Sequence, residues 1–275
     1  MGRVDRLVEV RGDGDTRAFG PEARREWISD EVLREGYVSA REIADRFGVS
    51  VMTVYRDLDE LEERRILRRE RGGATAQPSS VFESDVRYRI LRCVREKEAL
   101  CQRALEEVSP GEAVMFDDST TILPLARAVG ERAPLTVMTN FRLAIEAALG
   151  KRGVRVLCLG GEYFPTYDSY TGLLCDGAIS AVRPDVLFAS PAAIYGDCAF
   201  HQEQEIVRTK RAMMEVSRRR ILLADHTKFG RTAALKLAEL REFDLVLTDD
   251  RTPPEALEPL DKSGVPYDVV SVPGP

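Results

Sequence analysis

The chain has 275 residues, of which 44% are hydrophobic, and its 40 basic against 46 acidic side chains give a formal charge of −6. That is a soluble globular composition with enough apolar material for one large domain or two ordinary ones, and with no run of about 18 apolar residues it excludes a membrane-spanning helix. Neither part is basic: up to Ser80 there are 15 arginines against 17 acidic groups, and beyond it 25 basic against 29 acidic, so any nucleic-acid contact must rest on local patches.

Residues 1–20, which include Arg11-Gly12-Asp13-Gly14-Asp15, read as a polar leader, with charges at Arg3 and Asp5 where a secretory signal needs apolar residues. Residues 22–35 have Ala23, Trp27, Ile28, Val32 and Leu33 at helical spacing. Gly36-Tyr37-Val38 breaks that helix. Ser39 is placed to cap a second one, Ala40–Phe47, with Glu42 completing a capping box and Ile43, Ala44 and Phe47 inward. Gly48-Val49-Ser50 is a tight turn: Gly48 allows positive φ, Val49 plugs the core and Ser50 caps a third helix, Val51–Arg64, with Val54, Leu58 and Leu61 inward. This pattern is a helix-turn-helix whose exposed amino end, with Val51, Met52, Thr53, Tyr55 and Arg56, would meet base edges. The following run carries Arg64, Arg65, Arg68, Arg69 and Arg71 around Ile66-Leu67 and ends in Gly72-Gly73, as a β-wing lying along a phosphate backbone requires. The candidate DNA-facing set is these ten residues together with the two capping serines, Ser39 and Ser50. A capped helix pair with a Gly-Val-Ser turn and an arginine-rich wing is far more specific than a solvated charge run alone.

Ala76–Ser80 reads as a linker, followed by one long amphipathic helix over Glu83–Val108, so that residues 76–108 connect a DNA-binding domain at 21–75 to a second domain at 109–275. From Gly111 on, β-rich apolar runs (113–117, 135–139, 154–159, 185–190, 220–224, 243–248, 267–272) alternate with helical stretches (121–129, 141–149, 203–218, 233–240, 254–263). Continuous apolar strands separated by helices predict a parallel sheet covered on both faces, whose ligands sit beyond the carboxyl ends of the strands.

The residues at those ends are therefore the second candidate site. Asp117-Asp118-Ser119-Thr120-Thr121 opens a helix with hydroxyls and free backbone N–H groups, which suits an anion such as phosphate, and Asp117 can accept from a sugar hydroxyl. Asn140, Gly160, Gly161 and Asp225 follow other strands. Lys210 and Lys228, two of only six lysines in the chain, are placed for a point charge on phosphate.

The stretch from Ile43 to Gly73 resembles the DeoR family of bacterial transcriptional regulators, through Val49-Ser50, Thr53, Arg56-Asp57-Leu58, Leu61-Glu62 and Gly72-Gly73 at fixed spacing. Tyr55 stands where that family usually has a first arginine, and Arg71 where it often has histidine. The resemblance continues through Asp117–Thr121, Thr139-Asn140, Gly160-Gly161, Lys210–Met214, Asp225 with Lys228-Phe229-Gly230, and Leu247–Asp249. It implies an amino-terminal winged helix-turn-helix and a Rossmann-like parallel-sheet sensor domain similar in fold to sugar-phosphate isomerases. It further implies a repressor of double-stranded operator DNA carrying an inverted repeat, acting as a homo-oligomer. Its phosphorylated sugar-type effector would be held by Asp117, Ser119, Thr120, Thr121, Asn140, Gly160, Gly161, Lys210, Asp225 and Lys228. Ser119, Ser190 and Ala193 replace glycines of the family's loops, which narrows the pocket and leaves a degenerate one as an alternative.

The rival class is an isomerase-like enzyme, with Asp197, His201, Glu203 and Glu205 as candidate acid–base groups and His226 beside Lys228 as another. Two histidines and five scattered cysteines, an odd number without a CxxC pair, offer little to a metal centre or a disulfide framework. No cofactor is expected, and the cysteine usage suits a reducing cytoplasm.

Overall fold

The computed structural model describes residues 20–63, 66–76 and 85–274; the leader up to Phe19, the wing arginines Arg64 and Arg65, and the linker from Gln77 to Ser80 lie outside the described residues. Cα packing separates two compact units that meet at Leu91 and Arg92.

In the first unit, helix α1 (Pro21–Glu35) ends at Gly36, whose φ of 78° gives the left-handed turn that feeds strand β1 (Tyr37–Ser39). Helix α2 (Ala40–Phe47) buries the predicted face, Ile43, Ala44 and Phe47, and Ala40 with it. Gly48, with φ 62°, turns the chain into helix α3 (Val51–Glu63), where Val54, Leu58 and Leu61 are buried as the spacing predicts. Strands β2 (Leu67–Glu70) and β3 (Gly73–Ala76) complete an antiparallel sheet in the order β1-β3-β2. The two glycines before β3 have separate reasons. Gly72 has φ 89°, and a Cβ on Gly73 would stand 2.0 Å from the Val38 carbonyl oxygen, so only glycine lets β3 lie against β1. Trp27 packs edge-on against Phe47 with centroids 5.3 Å apart, closing the small core.

The predicted single helix over Glu83–Val108 is two helices. Within the described residues, α4 (Val86–Leu91) stops at Arg92, and α5 (Val94–Leu105) begins after Cys93, which adopts φ 51°. Each piece is amphipathic, so periodicity runs smoothly across a backbone break that costs only two residues. α4 packs on α1 in the first unit, whereas α5 packs inside the second, burying Leu100, Cys101, Ala104 and Leu105.

The second unit is built on seven parallel strands: β4 (Ala113–Phe116), β5 (Leu135–Thr139), β6 (Val154–Cys158), β9 (Val186–Ala189), β12 (Arg219–Leu223), β14 (Leu245–Asp249) and β15 (Tyr267–Val270). Their order is β15-β14-β12-β9-β4-β5-β6. The chain winds outward from β4 to β6, returns to β9 and winds the other way, so the adjacent pair β4 and β9 is the topological switch point where doubly wound sheets bind ligands. β9 is buried at every position and β12 at its last three, as expected for strands covered on both faces. A hairpin of β7 (Glu162–Phe164) and β8 (Ser169–Thr171) leads into helix α8 (Gly172–Ser180), after helices α6 (Leu123–Ala128) and α7 (Arg142–Ala148). Helices α9 (Gln204–Val216) and α10 (Pro254–Ser263) follow later strands.

A second small sheet joins β10 (Ala193–Tyr195), β11 (Cys198–His201) and β13 (Leu235–Glu239). The helix predicted over 233–240 is therefore strand β13. Leu, Lys, Ala and Glu favour a helix intrinsically, but Leu237 and Ala238 are buried in the core and β13 pairs along β11, so tertiary pairing overrides local preference.

Candidate functional site

The helix-turn-helix presents a defined surface. Ser50 Oγ accepts from the Thr53 backbone N–H at 3.1 Å and lies 2.9 Å from Thr53 Oγ1, so both hydroxyls serve the cap of α3. Of the expected capping box on α2, the Ser39 half is present, accepting from Glu42 N at 3.5 Å. Val51, Met52 and Arg56 are exposed on the amino-terminal turns of α3, Met52 by 64%, with Thr53 and Tyr55 half-buried beside them. On the wing Arg68 and Arg71 are exposed, but Arg69, part-exposed, is folded onto α3: it ion-pairs with Asp59, lies over the Tyr55 ring at 4.8 Å, and gives its backbone N–H to Glu62 at 2.8 Å. Sequence reading also missed what fixes α3. Asp57 is buried on it and accepts from Arg24 Nε of α1 at 2.6 Å.

At the switch point of the sheet some of the predicted residues converge. Asp117 leaves β4 fully buried; its Oδ1 accepts from Ser119 N at 2.9 Å and its Oδ2 from Ser190 N, the first residue after β9, at 2.8 Å. Lys210 reaches the same point from α9. Its ammonium pairs with Asp117, with Asp118 Oδ1 at 2.9 Å and with the Ser190 carbonyl at 3.2 Å. Those three partners match its three N–H donors, so Lys210 holds the loops together rather than offering a donor outward, as a point charge on phosphate would have to. Burial alone would lower the Lys210 pKa, but the charges and hydrogen bonds of Asp117 and Asp118 outweigh it and hold the ammonium above its ordinary value.

Hydroxyls surround this clamp. Ser190 Oγ donates to Thr121 Oγ1 at 3.2 Å, and Ser169 Oγ of β8 donates to Asp118 Oδ2 at 3.3 Å. Lys97, on α5 and almost fully buried, donates to Thr120 Oγ1 at 3.1 Å. No strand-end reading could find Lys97, because it arrives from the helix that precedes the sheet; the signals were its rarity as a lysine and its place on an apolar helix face. Asn140, beyond β5, gives its side-chain amide to the Tyr170 carbonyl at 2.7 Å. Ser119 Oγ and Asn140 Oδ1 are both buried without a hydrogen-bond partner among the described residues, and groups so placed in native structures call for a water or ligand.

The remaining candidates lie at other strand ends. Gly161 has a packing reason of its own, since a Cβ there would meet the Thr171 carbonyl at 2.3 Å, whereas Gly160 faces open space. Burial raises the Asp225 pKa, but Lys228, the Thr227 hydrogen bonds and Lys97 outweigh it and keep the carboxyl below its ordinary range. Of the acid–base candidates, His201 is buried, its Nδ1 accepting from Glu203 N at 3.2 Å, and His226 Nδ1 lies 2.9 Å from Asp249 Oδ1. Among the described residues no group of three His, Cys, Asp or Glu side chains is arranged to hold a metal ion.

A winged helix-turn-helix on one unit and a doubly wound sheet with a buried polar switch point on the other define a DNA-binding transcriptional regulator with a sensor domain. The sequence profile of the DeoR-like helix-turn-helix domain matches residues 24–80, and that of the DeoR C-terminal sensor domain matches residues 92–250. The chain belongs to the DeoR family. It is 32% identical over 238 residues to the glycerol-3-phosphate regulon repressor of Escherichia coli, covering 86% of this chain and 94% of that one. It is 30% identical to the HTH-type transcriptional regulator GlpR of Haloferax volcanii, over 89% of this chain and 96% of the other. The lactose phosphotransferase system repressor of Staphylococcus epidermidis is 29% identical, with 82% and 91% covered. Among solved structures, ribose 5-phosphate isomerase A of Methanocaldococcus jannaschii overlaps 48% of this chain and 52% of its own at 12% identity and TM-score 0.36.

Proposed function

We propose that this regulator is a cytoplasmic repressor, released from an inverted-repeat operator when a phosphorylated sugar or polyol binds at the β4–β9 switch point. The two units divide the labour: the first binds DNA through residues 21–75, and the second, from Arg92 and including α5, senses the metabolite. Val51, Met52, Thr53, Tyr55 and Arg56 read base edges, while Ser39, Ser50 and the wing arginines 64, 65, 68 and 71 lie along phosphates. A homo-oligomer would set two such heads at half-sites about one helical turn, or a multiple, apart.

The observation that carries the effector reading is the pair of buried, unpartnered acceptors Ser119 Oγ and Asn140 Oδ1 at the ends of neighbouring strands β4 and β5. Hydroxyls of a polyol can donate to both. Lys97, and Lys228 near Asp225, supply cationic charge for a phosphate, while Lys210 fixes the loop on which Ser119 sits. The names of two relatives, a glycerol-3-phosphate regulon repressor and a lactose phosphotransferase system repressor, support a phosphorylated polyol or sugar as the ligand class. A binding rather than catalytic role is supported by the fused DNA-reading unit.

Fluorescence anisotropy on DNA from the protein's own upstream region, at fixed salt and with a panel of phosphorylated sugars and polyols, tests this reading. Tight binding weakened by one of them is the expected result, and the coupling should amount to about 1–3 kcal/mol. Specific binding indifferent to every ligand would remove the effector claim. Absence of specific binding together with turnover of one of the sugars would replace the reading with the enzyme.

A further inference from the structure

We infer that α8 is a self-association surface, on which a second copy of this chain packs its own α8 antiparallel across a two-fold axis. The inference deepens the homo-oligomer reading above by naming the surface.

α8 is nine residues long and follows the β7–β8 hairpin directly. Its inner face is anchored by Cys175 and Ile179, both fully buried. Its outer face starts with Leu173 and Leu174, which are 84% and 77% exposed, the two most exposed large apolar side chains described. Gly177, Ser180 and Ala181 continue that face at helical spacing, all exposed, and a Cβ on Gly177 would meet nothing within 4 Å. Ser180 Oγ is turned onto the Gly177 carbonyl at 2.8 Å. The helix carries one charge, Asp176, and Arg208 of α9 pairs with it at 3.3 Å. The result is a neutral face with two leucines at one end and small residues from its middle onward. Leucines of one copy fit over the small residues of an antiparallel partner, where backbones can approach closely.

The charges at the two ends select that partner and orientation. At the amino end stands Glu162 of β7, exposed, its carboxylate 3.9 Å from the point where a Cβ on Gly172 would lie. At the carboxyl end stands Arg183, exposed, its guanidinium folded over the last turn onto the Ser180 and Val182 carbonyls at 2.9 and 2.7 Å. Neither side chain has an ion pair among the described residues. Antiparallel packing of two copies sets the Glu162 end of each helix against the Arg183 end of the other, giving two equivalent contacts, as an isologous interface requires. Parallel packing would set like charges together. Gly177, close to the middle of the helix, then faces its own counterpart at the axis.

Sedimentation velocity of the full chain over a range of concentrations is the test, with circular dichroism to confirm that each variant is folded. Leu173→Glu and Leu174→Glu should each raise the dimer dissociation constant by about tenfold or more. Glu162→Arg and Arg183→Glu should each weaken association, and the two combined should restore it, which charges acting only on their own helix ends would not do. Gly177→Cys should form a disulfide-linked dimer under mild oxidation that leaves the unsubstituted protein unlinked. A dimer indifferent to both leucine variants, or a double charge reversal weaker than either single one, overturns the α8 surface while leaving the homo-oligomer reading intact. A protein that stays monomeric at all concentrations overturns both.

Discussion

Arg24 of α1 and Asp57 of α3 form an ion pair with Nε to Oδ2 at 2.6 Å, and both side chains are about 95% buried. The pair joins the first helix of the DNA-binding unit to the helix that carries the base-facing residues. Breaking one side leaves the other charge buried and uncompensated, a change that typically costs about 3–5 kcal/mol. Asp57→Ala should therefore lower the urea midpoint reported by Trp27, the only tryptophan, which lies in this unit. An unchanged midpoint would show that solvent reaches the pair.

Arg56 is exposed on α3 and belongs to the surface proposed to face base edges. Arg56→Ala should weaken operator binding by about 1–3 kcal/mol while leaving random-sequence DNA nearly unaffected. Equal losses on both DNAs would make Arg56 a backbone contact.

The wing arginines separate by their surroundings. Exposed Arg68 should contact phosphate, so Arg68→Ala should weaken binding to all sequences alike and reduce the salt slope by about 1. Arg69, held by Asp59 and the Tyr55 ring, should behave differently: Arg69→Ala should lower stability of the unit and leave the salt slope unchanged. Identical slopes for the two variants would contradict that division.

Lys210 pairs with both Asp117 and Asp118 in a buried cluster. Lys210→Met should cost about 3–5 kcal/mol in the stability of the sensor unit, read by circular dichroism, and no loss would mean that the cluster admits water. Because the Lys210 pKa is raised above its ordinary 10.5, its contribution is complete below pH 10.5 and is lost as pH rises through the raised value. Asp225, lowered from 3.8, acts in the opposite sense: its contribution is present above pH 3.8 and is lost as pH falls through the lowered value.

Lys97 donates to Thr120 and helps hold the Asp225 carboxyl below its ordinary range. Lys97→Met should raise the effector concentration needed for half-release of the operator while leaving operator affinity without effector unchanged. Anisotropy titrations measure both, and an unchanged effector response would remove Lys97 from the phosphate site.

Much of this architecture was legible in the residues. The strands 135–139 and 154–159 were readable within a residue or so because apolar runs end sharply at turn signals, and the helix-turn-helix was marked by Ser39, Gly48 and Ser50 in their capping and turn positions. Strand β13 was not, because Leu-Lys-Leu-Ala-Glu has helical composition and only β11 beside it makes it a strand. The break at Cys93 left the apolar period undisturbed on either side. At the candidate site, strand ends pointed to Asp117 and Asp118, but their pairing with Lys210 was not readable there. Lys210 is 93 and 92 residues from the two aspartates in the chain, so nothing local signals that they pair.

The β4–β9 seam falls where the chain reverses its winding, so its place is set by strand order rather than by any one loop. The side chains of the loops on either side, such as Ser119 Oγ, which has no partner among the described residues, are thus not needed to set where the seam falls. One scaffold of this kind can be retuned from one metabolite to another through a handful of loop substitutions, while the buried strands and the Asp117–Lys210 clamp keep the frame constant.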